Sequence, residues 1–191
     1  MSNDFKRIPY GISSFKQVRE EGLYLVDKSM FFEQLELAGN FFYIVRPRRF
    51  GKSLFLNMLE AYYDINEKDN FDKLFAGLYV ADHPTGNRNK YLVIHLDFSQ
   101  IQGDVDLIAE NLNIYLTNQC NLFALKYKQF YPAELTQLLQ QATTGSSKLN
   151  LIGNLSRQLG IRLYLIVDEY DNFTNDVLNT KGQQAYYELT H

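Results

Sequence analysis

One stretch dominates what this chain can fold into. Phe41-Phe42-Tyr43-Ile44-Val45 is an unbroken apolar run, and Arg46-Pro47-Arg48-Arg49-Phe50-Gly51-Lys52-Ser53 follows it at once. An apolar run without polar alternation predicts a strand covered on both faces, the pattern of a parallel sheet. Beyond the basic turn, residues 53–63 set Leu54, Phe55, Met58, Leu59 and Tyr62 on one side of a helix. Strand, glycine-bearing basic turn and helix together form the context in which a backbone loop can cradle phosphate.

The chemistry of such a loop dictates its residue types. Gly51 lets the backbone approach phosphate oxygens with no Cβ in the way, and the helix N-terminus supplies N–H donors and a positive dipole end. Lys52 is the residue to reach β/γ-phosphates, and the Ser53 hydroxyl is the ligand for Mg²⁺. The nucleotide-contacting set read from the loop is Arg48, Arg49, Phe50, Gly51, Lys52, Ser53 and Leu54. One position departs from the general G-x-x-x-x-G-K-[ST] pattern, where Arg46 stands in place of the first glycine. The plainer alternative is a basic turn that caps a helix.

Two further runs read as strands, Tyr91 to Phe98 and Leu163 to Val167. Between the strands lie helical patterns. Ser14-Phe15-Lys16-Gln17 fits a capping box, with Gly22 as a stop. Ser29 to Ala38 ends at Gly39, a long pattern runs from Asp104 to Lys126, and Pro132 suits a first turn. Lys148 to Leu159 precedes Gly160, while 143–147 reads as a loop. Strands alternating with helices and long crossovers predict an α/β fold with a mainly parallel sheet.

The last strand runs into Asp168-Glu169-Tyr170-Asp171. Carboxylates at the carboxyl end of a parallel strand lie on the edge where such sheets bind ligands. Asp168 is placed to hold the Mg²⁺ shell, as the Walker B aspartate does, and Glu169 to orient or activate an attacking water. Lys52 and Glu169 are therefore the candidate catalytic residues, and Ser53 and Asp168 the candidate metal ligands. Many strands end in acidic turns, so the pair gains its meaning from the loop at 46–53. The adjacent Glu favours ATP over GTP, and no Asn-Lys-x-Asp base-reading motif is present.

Composition excludes several classes. A net charge of −3 argues against a generally basic nucleic-acid binder, although Arg46, Arg48, Arg49 and Lys52 form a local cationic patch. No apolar run approaches the roughly 20 residues of a membrane span, and residues 1–7 lack a signal peptide's apolar region. A cytoplasmic chain is expected. Cys120, the single cysteine, forms no internal disulfide and reads as a packed thiol. His83, His95 and His191 are too scattered for zinc. The fourteen Tyr and fourteen Phe read as packing rather than as a base-stacking platform.

Several blocks together resemble the predicted AAA-ATPase-like family of bacteria and archaea. They are Ile8 to Phe15, Tyr24-Leu25-Val26-Asp27-Lys28-Ser29, Arg46 to Ser53, Val93 to Ser99 and Val167 to Asp171. In that family the Arg at the first P-loop position is usual. The resemblance implies a P-loop NTPase-type three-layer sandwich of the additional-strand class, with ATP and Mg²⁺ as cofactors. It also implies that Gly51, Lys52 and Ser53 carry the phosphate and Mg²⁺ roles, and Asp168 and Glu169 the Walker B roles. Family members often continue into a region resembling a PD-(D/E)XK nuclease. Asp27 and Lys28 read either as neighbours of the adenine or as a helix N-terminus with one charge of each sign.

The expected organisation is a helical segment over 1–40 packed on a P-loop core over 41–191, with no separate second domain. That core is expected to be incomplete at its C-terminus, because residues 169–191 hold no good candidate for the central strand. The function expected is Mg-dependent ATP hydrolysis in a longer protein, weak or absent in this chain alone. A homo-oligomer, and nucleic acid through a further C-terminal region, are the other partners this implies. The competing expectation is a non-hydrolysing nucleotide-binding or nucleic-acid-associated assembly module that uses Arg46, Arg48 and Arg49.

Overall fold

A computed structural model of the chain describes residues 5–45, 47, 49–101 and 107–170. The chain forms two compact units, residues 1–93 and 94–191. Arg46, Arg48, Asp104, Val105, Asp171 and everything from 172 onward lie outside the described residues.

The first unit is helical. It contains α1 (Phe15–Glu20), α2 (Phe31–Leu37), α3 (Lys52–Tyr63), α4 (Phe71–Phe75) and α5 (Tyr79–Asp82), with a 3₁₀ turn at Ile65–Asn70. The predicted cap of α1 is present: Ser14 Oγ accepts the Gln17 N–H at 3.3 Å. The Gln17 side-chain amide reaches forward along the helix and donates to Glu21 at 2.8 Å. α1 ends where Leu23 N–H returns to the Val18 carbonyl and Gly22 adopts φ 63°.

The core of this unit is aromatic. Phe15, Phe32, Phe55, Tyr62, Tyr63, Phe71 and Phe75 are buried. Phe32 meets Tyr62 at 4.7 Å between ring centroids, Phe15 meets Phe75 at 5.1 Å, and Tyr62 meets Tyr63 edge-on at 5.1 Å. Tilted and edge-on pairs are the arrangements that ring quadrupoles favour. Arg19 tightens the packing, donating at 2.6 Å to the carbonyls of Leu74 and Ala76 at the end of α4.

The second unit contains α6 (Ile108–Lys126), α7 (Leu135–Gln141), α8 (Gly145–Gln158) and β2 (Leu163–Asp168). The unit boundary falls inside β1 (Leu92–Asp97), which pairs with β2 in a parallel two-stranded sheet. α6 and α8 pack closely, with Leu116, Cys120, Phe123 and Ile152 buried. α8 starts three residues before its predicted start, because Thr144 Oγ1 caps it by accepting the Ser147 N–H at 3.1 Å. Pro132 lies in a turn ahead of α7 rather than inside it, its carbonyl accepting from Leu135 N–H. At the far end of α8, Gly160 supplies φ 67°, and the chain turns straight into β2.

Strands at 91–98 and 163–167 are thus found where the apolar runs predicted them. The strand predicted at Phe41–Val45 is not. That segment has no strand assignment, and Phe41, Tyr43 and Val45 are 93%, 83% and 85% exposed. The physical reason is that a strand exists only beside a strand it can pair with, and the sheet among the described residues contains β1 and β2 without this segment. β2 also departs from the two-sided burial expected, since Leu165 is 52% exposed. Among the described residues the fold is therefore mixed α/β with a two-stranded parallel sheet. The packing role assigned to the aromatic residues holds in the helices and fails for Phe5, Tyr10, Phe41 and Tyr43, which are exposed.

Candidate functional site

The loop between residue 45 and α3 belongs to the first unit. Phe50 N–H donates to the Pro47 carbonyl at 3.3 Å, which closes a turn, and Gly51 follows with φ 73°. That value lies in the left-handed region, where only glycine is free of a Cβ clash. Arg49 is left-handed as well, at φ 68°, at a cost of about 1–2 kcal/mol for a residue with a side chain. Left-handed residues are a feature of the backbone turns whose N–H groups bind anions.

α3 begins at Lys52, and its Phe55 N–H makes a 3.0 Å bond to the Gly51 carbonyl. The N-cap residue of this twelve-residue helix is Gly51, which has no side chain to cap it. The first-turn N–H groups of a helix point out of its N-terminus, with the positive end of the helix dipole behind them. Lys52, Ser53 and Leu54 are half-buried there, and Phe50 is exposed.

The Asp27-Lys28-Ser29 block divides its duties. Asp27 Oδ1 accepts the Ser29 N–H at 2.8 Å, an Asx turn ahead of α2, while Oδ2 accepts the Tyr79 N–H at 2.7 Å. Buried Ser29 accepts the Val80 N–H at 3.1 Å. These two residues cap α5. Lys28, between them, donates from Nζ to the Phe50 carbonyl at 2.9 Å. The sequence flagged the block through its charges, but nothing in it signalled the tie to residue 50.

The carboxylate pair belongs to the second unit. Asp168 closes β2 and is 4% exposed, its Oδ1 accepting the Glu169 N–H at 2.9 Å. Glu169 is left-handed, at φ 50°. Strain of this kind in a non-glycine residue is found preferentially at functional sites. Parallel pairing brings the carboxyl ends of β1 and β2, hence Asp97 and Asp168, to the same edge of the sheet. Asp97 is turned to local work: Oδ1 takes the Ser99 N–H and hydroxyl at 3.0 and 2.7 Å. Its N–H donates to the Tyr115 hydroxyl at 2.7 Å, a contact with no sequence signal. Burial raises the Tyr115 phenol above its ordinary pKa, and the nearby Asp97 charge adds to that, against the backbone bond.

No cluster of three or more His, Cys, Asp or Glu side chains that could hold a metal occurs among the described residues. Burial pushes the Cys120 thiol up to about 11, so it is no nucleophile near neutral pH. No described helix is long and apolar enough to cross a membrane.

A family model described as predicted AAA-ATPase matches residues 9–191. The chain belongs to this family. The match takes in both the loop at 46–53 and the carboxylate pair at 168–169. A relative from Azotobacter chroococcum mcd 1, an uncharacterized protein in the vnfD 5′ region, is 32% identical over 169 residues. That alignment covers 87% of this chain and 29% of the relative, so the AAA-ATPase-like chain spans under a third of the protein it matches. No solved structure matches it.

Proposed function

We propose that the chain binds Mg-ATP through the loop at 46–53, and that within a longer protein it supports ATP hydrolysis. The observation that carries this is the loop geometry: left-handed Arg49 and Gly51 lead directly into the N-terminus of α3. A loop of that shape at the start of a helix suits a polyanion. Membership of the AAA-ATPase-like family supports the choice of ATP.

In this proposal the Lys52 ammonium neutralises charge on the terminal phosphates, and the backbone N–H groups of residues 51–54 hold their oxygens. Arg48 and Arg49 add cationic contacts. The Ser53 hydroxyl and the Asp168 carboxylate are oxygen donors of the kind that hard cations take, and buried Asp168 suits that task. Bound Mg²⁺ would supply charge stabilisation on the phosphates. Glu169 accepts a proton from the attacking water. Residues 1–40 act as a family-specific segment and 41–191 as part of the ATPase core, in a cytoplasmic protein.

The test is a comparison in the longer protein. Glu169→Gln should keep Mg-ATP affinity and lose steady-state turnover, whereas Lys52→Ala should lose both. Turnover in Glu169→Gln equal to wild type would remove the carboxylate from the mechanism.

A further inference from the structure

We infer that Lys28 is a positioning residue of the phosphate loop, a strut that holds the 49–51 turn in its anion-ready shape before any ligand arrives. The inference rests on the proposed nucleotide role of the loop. Its ground is an arrangement wholly inside the first unit. Lys28 Nζ donates to the Phe50 carbonyl at 2.9 Å, and a Cβ built on Gly51 would lie 3.5 Å from the same nitrogen. The ammonium thus sits over the turn at the point where the backbone becomes left-handed.

The neighbours of Lys28 keep it there. Asp27 and Ser29 are fixed to the N–H groups of Tyr79 and Val80 at the start of α5, and Ser29 is buried. A flexible lysine stem anchored on both flanks loses less freedom on making its bond than one on a mobile loop. The bond has a charged donor, which makes it stronger than one between neutral amides. With its carbonyl drawn toward Lys28, the 50–51 peptide plane is held, which fixes where the N–H of Gly51 points. The same cation adds positive charge next to that of Lys52. The strut acts through the loop rather than by touching the reacting atoms.

Two backbone bonds report on the loop without any nucleotide: Phe50 N–H to the Pro47 carbonyl and Phe55 N–H to the Gly51 carbonyl. Amide hydrogen exchange should be measured on wild type, Lys28→Met and Lys28→Arg, with Mg-ATP and Mg-ADP affinities beside it. Loss of one charge-assisted bond predicts about tenfold faster exchange at Phe50 and Phe55 in Lys28→Met. Lys28→Arg, which keeps a cationic donor, should exchange as wild type does. Both nucleotides should weaken by one common factor of about tenfold in Lys28→Met, because the loop serves them alike.

Unchanged exchange at Phe50 and Phe55 in Lys28→Met overturns the inference, whatever the nucleotide data. A uniform rise that includes the amides of buried Tyr62 and Phe75 also overturns it, since that marks general loss of stability. If wild type binds no nucleotide while the local exchange effect is present, the strut stands and the nucleotide role of the loop falls. If wild type binds and Lys28→Met binds equally well, the nucleotide role stands and the strut falls.

Discussion

A methyl group on Gly145 would lie 2.5 Å from Leu116 Cβ, nearer than two such carbons ever pack. The same methyl would meet the Asn113 carbonyl and the Thr117 nitrogen at 2.8 Å, so backbone rather than a flexible tip blocks it. α6 and α8 approach this closely only because α8 opens on glycine. Gly145 N–H then donates to Asn113 Oδ1 at 2.7 Å. Alanine gains about 1 kcal/mol in a helix interior, and less at the first residue of α8. Overpacking costs about 1–3 kcal/mol and wins here. Gly145→Ala should lower the urea midpoint by an amount equal to about 2 kcal/mol with an unchanged slope. A midpoint at or above wild type would show that the helices separate freely.

Glu169 carries its left-handed backbone, φ 50°, directly after β2. The conformation costs a residue with a Cβ about 1–2 kcal/mol, and glycine adopts it at no steric cost. Part of the relief is returned through the greater freedom of glycine in the unfolded chain. Glu169→Gly should therefore stabilise the chain by about 0.5–1 kcal/mol while removing turnover from the longer protein. Thermal and urea denaturation read the first effect, and a loss of stability would mean the turn is unstrained.

Cys120 sets a pH dependence whose sign follows from burial. Its folded-state pKa is raised from 9.0 to about 11, chiefly by desolvation, with Lys148 opposing. The stabilisation is complete below pH 9, where both states hold the proton, and is lost as pH rises toward 11. Between those values unfolding releases a proton, so stability falls by up to about 1.4 kcal/mol per pH unit. The phenols of Tyr62, Tyr115 and Tyr131 are raised too and add a decline of the same sign. Denaturation of Cys120→Ala from pH 8 to 11 should show a shallower fall than wild type. Identical slopes would place the thiol in contact with water.

Much of this architecture was legible in the sequence because local chemistry decides it. Ser14 before α1, Gly22 and Gly160 after helices, and the apolar runs at 91–98 and 163–167 each act on their own neighbours. The segment at Phe41–Val45 was misread because a strand is a property of two segments. Composition reports what one of them would tolerate, not whether a partner is beside it. The site divides in the same way. Gly51 and Glu169, singled out from residue type and position, both prove to have left-handed backbone. The caps that Asp27 and Ser29 place on α5, fifty residues on, leave no trace in local spacing. The Glu36 carboxylate is a further case: it ties together Tyr63, Thr85 and Asn87 from two distant segments.

The central claim is that the turn ahead of α3 is a nucleotide phosphate site, and one titration tests it most directly. Mg-ATP binding should be measured by calorimetry on this chain as wild type and as Lys52→Ala, with the melting temperature of each recorded. Wild type should bind, and Lys52→Ala should bind at least about tenfold more weakly at an unchanged melting temperature, as expected on removing a charge-assisted phosphate contact. Equal affinity in the two proteins, or no binding by wild type, would contradict the claim.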